Sequence, residues 1–220
     1  MDERSRANPG GVGQNDMSDD RESILSRVRG ALAPLRERAA MPDYTTEIAV
    51  MRNLLAGRDA LAVFSERIKR VNGIALTDPA ALVEKLRAGG WLHGYCDPAL
   101  WPTLAPHFGE GFKVETVFDR TRVDDYAFGI TRAAGAIAET GTVILDDVTT
   151  SSRLAALAPW VHVAVVNRAQ IFSDLPQAVA ALGADSNVIW CTGPSKTADV
   201  EGILIEGVHG PGVQIALVVD

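Results

Sequence analysis

Cysteine is scarce in this chain: its 220 residues include only Cys96 and Cys191. An iron–sulfur cluster takes four thiolates, and these two Cys, distant and outside any CxxC pair, cannot hold one unaided. They build no disulfide framework either, so both thiols are expected to be buried rather than bridged, in a reducing, cytoplasmic setting. The four His fall into no HExxH or similar spacing, so neither a metal site nor a cofactor is expected. No apolar run reaches the roughly 18 residues that suggest a membrane span, and the polar amino terminus lacks a signal-peptide pattern. Basic residues are outnumbered, 21 Lys and Arg against 28 Asp and Glu, which leaves a formal net charge of -7. That balance opposes non-specific contact with nucleic acid or anionic lipid but leaves room for a local basic pocket. There is no GxSxG elbow, no GxGxxG fingerprint and no GxxxxGK[ST] loop, which disfavours a serine-hydrolase triad, a dinucleotide site and a nucleotide P-loop. Aromatic residues make up 6%, and Trp91, Tyr95 and Trp101 read as core or interface packing.

The 47% hydrophobic and 22% charged fractions are ordinary, and the length suits one α/β domain with an appendage. Residues 1–17, rich in Gly, Asn and charge, read as a disordered extension ahead of a helical region, 18–72. Ser18 suits an N-cap, with Asp19, Asp20 and Glu22 at the helix start. Ile24, Leu25, Val28, Leu32 and Leu35 then share one face, Arg21, Arg27 and Arg29 lie opposite, and Pro34 kinks or ends the run. This helix is either docked or an interaction arm. A second helix is expected over 46–70, with Ile48, Met51, Leu55, Phe64, Ile68 and Val71 inward and Gly57 dividing it. From residue 73 short apolar runs alternate with helical stretches, which is the rhythm of βα units around a mostly parallel sheet flanked by helices. Strands are expected at 73–76, 91–93, 112–117, 134–138, 142–145, 161–166, 188–191 and 213–219. A connector is expected at 155–160 and a helix at 170–182.

Polar groups set against buried strands are costly unless they are hydrogen-bonded or used on a ligand. Two segments fit that description: Ala138-Glu139-Thr140-Gly141-Thr142, and Thr192-Gly193-Pro194-Ser195-Lys196-Thr197-Ala198-Asp199. A carboxylate at Glu139 is suited to accept a proton, anchor a ligand donor or attack an activated acyl group; alternatively it accepts backbone N–H bonds from a neighbouring turn. Gly141 marks a sharp turn or bulge. Backbone N–H groups after Gly193, the Ser195 and Thr197 hydroxyls and the Lys196 ammonium are suited to surround an anion. Helix capping by Thr197 or Asp199 explains the same residues without a ligand. His209-Gly210-Pro211, before the last strand, punctuates a turn and can offer an imidazole to the same strand ends. Asp124 and Asp125 read as helix caps or as closing a pocket.

Together, Ala136-Ile137-Ala138-Glu139-Thr140-Gly141-Thr142, the segment from Gly193 to Asp199, and Gly207-Val208-His209-Gly210-Pro211 resemble the LUD-domain family, with its lactate utilization protein C branch as the nearest match. The resemblance runs from about Ile24 to the carboxyl end and is densest after Asp124. It implies a fold like the NagB, RpiA and CoA-transferase group, with residues 73–220 as the α/β domain. It further implies a place in the oxidation of L-lactate to pyruvate beside iron–sulfur proteins, with this chain as the non-redox member. Glu139 and His209 are then the residues expected to orient or exchange a proton with a small carboxylate or phosphate. Thr140, Gly141, Thr142, Gly193, Ser195, Lys196, Thr197 and Asp199 are expected to hold that ligand. A standalone acyl- or phospho-ligand enzyme using Glu139, and a scaffold without a working pocket, are the alternatives.

Overall fold

Asp59, Asp78, Ser152 and Asp174 each accept a backbone N–H at the start of a helix, and apolar runs between the helices form strands. The structure, a computed structural model, describes residues 15–34, 40, 43, 55–182, 187–198 and 202–220. The chain divides into two units, Met1–Thr46 and Glu47–Asp220. In the first, α1 (Asn15–Leu32) begins upstream of Ser18, so the expected N-cap lies within its first turn. Ile24, Val28 and Leu32 are exposed along it, Pro34 follows its end as a residue without an N–H should, and Leu35 lies outside the described residues.

In the second unit the expected helix over 46–70 is seen from Leu55 onward, broken around Gly57; Ile48 and Met51 lie outside the described residues. Asp59 Oδ2 accepts the Ala62 N–H at 2.9 Å and starts α2 (Ala60–Arg70), which buries Val63, Phe64 and Ile68. The chain continues through β1 (Ile74–Leu76), α3 (Pro79–Ala88), β2 (His93–Cys96), α4 (Trp101–Leu104), β3 (Lys113–Glu115) and β4 (Phe128–Arg132). Next come β5 (Gly135–Ile137), β6 (Thr142–Asp146), α5 (Arg153–Leu157), β7 (Val161–Asn167), β8 (Ile171–Phe172) and α6 (Leu175–Leu182). The last elements are β9 (Val188–Cys191), β10 (Lys196–Ala198), β11 (Leu204–Glu206) and β12 (Val213–Val219).

Six strands form a wholly parallel sheet in the order β1-β12-β7-β4-β2-β3. Its two longest strands, β7 and β12, pair from Val161↔Val213 to Asn167↔Val219, and both are nearly continuous apolar runs because both faces are covered. On one face Leu82, Leu86 and Leu104 of the helices pack on Phe128, Ile130, Val163, Val165, Ile215 and Leu217. The other face carries small and β-branched residues, Ala164, Val166, Ala216 and Val218. These meet Phe64 and Ile68 of α2, Ala156 of α5, and Ala136, Val143 and Leu145 of a second, four-stranded sheet. That sheet runs β8-β5-β6-β9, with β6 antiparallel to both neighbours. The architecture is therefore α/β around a mostly parallel sheet, but one face is flanked by a second sheet as well as by helices.

Several local expectations shift. The strand expected at 91–93 forms at His93–Cys96. The helix expected over 170–182 splits into β8 and α6, with the Asp174 carboxylate accepting the Gln177 N–H at 2.9 Å. The connector at 155–160 contains the end of α5, which Ser152 caps through the Ala155 N–H at 3.1 Å. Asp119, not Asp124 or Asp125, caps the 3-10 turn Arg120–Asp125. Thr197 caps no helix: it pairs with Ile205 in the β10–β11 hairpin, and Asp199 lies outside the described residues.

Candidate functional site

On the face of the parallel sheet turned toward the second sheet, three polar side chains replace the usual Val and Ala. His162 of β7 lies opposite both Gly129 of β4 and Gln214 of β12. Its Nε2 is 3.0 Å from Thr131 Oγ1 and its Nδ1 is 3.2 Å from Gln214 Nε2. The Thr131 hydroxyl can donate or accept, so the row closes in either of two matched settings: Gln214 donates to Nδ1 while Nε2–H donates to Thr131, or Nδ1–H donates to the turned amide while Thr131 donates to Nε2. All three are buried. Burial disfavours the imidazolium and pushes the His162 pKa down to about 4, so the ring is neutral at physiological pH.

Beside this row is a cavity of about 400 Å³ into which His162 and Gln214 open. Its other walls are Trp190 to Lys196, Leu157, and the segment His209-Gly210-Pro211. Two of the three segments singled out in the sequence thus converge. The Ser195 N–H donates to the Pro211 carbonyl at 2.9 Å, and the Ser195 carbonyl accepts the Gly207 N–H at 2.9 Å, which binds the two segments together. Cys191 also lines the cavity; its thiol, half-buried, is pushed up to about 11 by desolvation and is not a thiolate near neutral pH.

The first segment does not line this cavity. Glu139 Oε1 accepts the Leu175 N–H at 2.7 Å and the Glu139 N–H donates to the Ser173 carbonyl at 3.2 Å, so the carboxylate caps α6. Glu139 and His209, expected to act on one ligand, are not brought together as lining groups. Contact with the cavity comes through hydroxyls instead: Thr140 and Thr142 lie 2.7 Å apart, and Thr142 lies 2.7 Å from the cavity-lining Thr192.

The two motif glycines have a structural reason. Gly141 and Gly193 hold φ of +69° and +78°, and a Cβ on either would overlap the backbone of α2's end, at Ile68 and at the Val71 carbonyl oxygen respectively. Lys196 reaches the same place: Nζ donates to the Val71 carbonyl at 3.2 Å and stands 3.4 Å from Glu206, which also accepts from Asn72 Nδ2 at 2.7 Å. Lys196 therefore serves the end of α2 while bordering the cavity. Thr197 does not line it.

His162, Gln214 and Thr131 were not among the expected site residues. The available signal was a His inside the run Val161–Asn167, a costly choice for a strand buried on both faces. Among the described residues, no three His, Cys, Asp or Glu side chains are grouped as metal ligands would be, and no helix is long and apolar enough to cross a membrane.

The LUD domain family matches residues 101–219, which includes every cavity residue named above. Lactate utilization protein C of Deinococcus radiodurans is 34% identical over 119 residues, covering 52% of this chain and 55% of that one, so the match spans about half of each. An uncharacterised protein of Neisseria meningitidis serogroup B is 32% identical over 211 residues, covering 87% and 89% of the two chains. Among solved structures, a DUF162 family protein from Deinococcus radiodurans superposes with a TM-score of 0.54 at 26% identity, covering 73% of this chain and 96% of that one.

Proposed function

We propose a function from one premise: the chain belongs to the LUD-domain family, on the branch of the proteins called lactate utilization protein C. It acts as a non-redox accessory subunit of an L-lactate oxidation system, beside iron–sulfur proteins that carry the electrons. Its own part is to bind a small carboxylate or phosphate in the cavity between the sheets. One observation carries this reading: two separate segments of the family region close around a buried, hydrogen-bonded His162–Gln214 pair. Buried polar groups opening on a cavity, with convergent hydroxyls and one ammonium, are the ordinary make-up of a small-ligand site. The Lys196 ammonium and the Ser195 and Thr192 hydroxyls supply donors for an anion, and His209 stands at the rim. Thr140 and Thr142 brace Thr192, while Gly141 and Gly193 let α2 close against both loops. Glu139 is structural in this reading, because its carboxylate already holds the start of α6. The kinship with the NagB, RpiA and CoA-transferase group is retained as a proposal about fold ancestry and transfers no mechanism.

The test is L-lactate oxidation with an artificial electron acceptor, using the iron–sulfur partners with and without this chain. Oxidation that requires the chain is the expected result. Equal rates in its absence would overturn the subunit reading.

A further inference from the structure

A second cavity, of about 510 Å³, adjoins the first, and Leu157, His209 and Gly210 line both. Its own walls include Asp124, Tyr126, Trp160 and Val208. Three groups along it are left over from packing. The Trp160 indole is 48% exposed, although its six-membered ring is pinned against Gly207 and Gly212, where a Cβ would overlap ring carbons. The exposed Asp124 carboxylate has no partner among the described residues, whereas its neighbour Asp125 stands 3.6 Å from Arg122 Nη1. The successive N–H groups of Val208, His209 and Gly210 donate to no protein acceptor among the described residues, whereas the Gly207 N–H before them donates to the Ser195 carbonyl at 2.9 Å.

We infer that the two cavities together take a nucleoside monophosphate, with the base on Trp160, the sugar hydroxyls on Asp124, and the phosphate between the Val208–Gly210 loop and the donors of the first cavity. This rests on the reading above, that the first cavity binds a small anion, and extends it into the second. An aromatic face already held in place suits a planar base of any identity. A carboxylate can only accept, so Asp124 matches paired sugar hydroxyls and repels a phosphate, which fixes the direction in which the ligand lies. Consecutive N–H groups in a bend make a concavity for phosphate oxygens. The Lys196 ammonium and the Thr192 and Ser195 hydroxyls add donors from the adjoining cavity. With no P-loop or dinucleotide fingerprint in the chain, these groups take the place of both.

Calorimetry on the full chain at neutral pH would compare AMP, ribose 5-phosphate, adenosine, inorganic phosphate and L-lactate. AMP should bind at least about fivefold more tightly than ribose 5-phosphate, the gain expected from stacking one base on one aromatic ring, and more tightly than adenosine. Trp160→Leu should bring AMP down to the level of ribose 5-phosphate and leave ribose 5-phosphate itself unchanged. That variant can disturb the loop packed on the ring, so the ligand ratio in the unmodified chain decides without it. Asp124→Asn, at an exposed position, should weaken AMP severalfold. Equal affinity for AMP and ribose 5-phosphate, or a folded Trp160→Leu variant that keeps the AMP preference, would overturn this inference and leave the small-anion reading standing. Binding of none of the five would overturn both.

Discussion

His162 is a polar residue in an apolar strand, and its placement makes stability depend on pH. Its folded pKa, about 4, lies below its ordinary value of 6.5. Above 6.5 both the folded and unfolded forms are neutral and the group has no effect on stability. As pH falls from 6.5 toward 4 the unfolded chain takes up a proton that the folded chain refuses, so stability drops across that window and levels off below it. The full loss is on the order of 3 kcal/mol. Urea denaturation from pH 7 to 4 should show this slope, and His162→Gln should flatten it. Asp119, held down to about 2 by Thr121 and Arg122, and Glu115, held lower by Arg122, Lys113 and His93, titrate in both proteins. The difference between the two curves removes their contribution. An unchanged slope in the variant would mean that His162 is not the group responsible.

The motif glycines allow a test of similar kind. Gly193 and Gly202 share a positive φ, +78° and +79°, but a Cβ at Gly193 would strike the Val71 carbonyl whereas Gly202 has open space around it. Gly202→Ala should cost about 1 kcal/mol, the left-handed backbone penalty alone. Gly193→Ala should cost roughly 1–3 kcal/mol more, the overpacking penalty against a rigid helix end. Equal losses by thermal denaturation would show that α2's end gives way, and that the close approach is not what the glycine is there to permit.

Among the elements, α6 decides what Glu139 does. Its first turn is held by Glu139 through the Leu175 N–H and by Asp174 through the Gln177 N–H. Glu139→Gln keeps an acceptor but removes the charge that favours a helix start, so the expected loss is only about 0.5–1 kcal/mol. Affinity for a cavity ligand should stay within twofold of the parent, roughly the scatter of distant, uncoupled substitutions. A much larger fall in affinity would return Glu139 to the site. The residue also shows where the sequence was legible. A carboxylate at a strand end reads equally as a catalyst or as a cap, because the helix it caps begins at Leu175 and nothing local announces that contact. By contrast, β7 and β12 were plain from their apolar runs, and Val188–Cys191 formed as expected. Strand β4 went unread because Gly129, Thr131 and Arg132 break its apolar pattern, although all but Arg132 in it are buried. The β10–β11 hairpin was hidden for the opposite reason: Leu204 and Ile205 are both exposed, so no alternation marks a buried face. The cavity itself was half legible. Its loops stood out as polar segments, but its buried members, His162 and Gln214, looked like interruptions in core strands until the sheet order set them side by side.

For the whole molecule, the division into Met1–Thr46 and Glu47–Asp220 separates a helix from a folded body. Every buried cluster among the described residues draws its members from the second unit, beginning with Val63 and Phe64. Within the first unit, Ile24 and Val28 of α1 are exposed. Its apolar stripe is the kind of surface that gains stability from a partner rather than from its own chain. Removing residues 1–46 should therefore shift the melting temperature of the remaining body by less than about 3 °C, the change that roughly 1 kcal/mol produces in a domain of this size. Ligand affinity at the cavity should be unchanged, since each lining residue lies beyond the cut. On the function proposed above, with α1 as the arm that would join iron–sulfur partners, the shortened chain should bind ligand normally yet fail to restore L-lactate oxidation. A shortened chain that restores full oxidation would remove α1 from assembly. One that melts many degrees lower would show that the helix belongs to the fold after all.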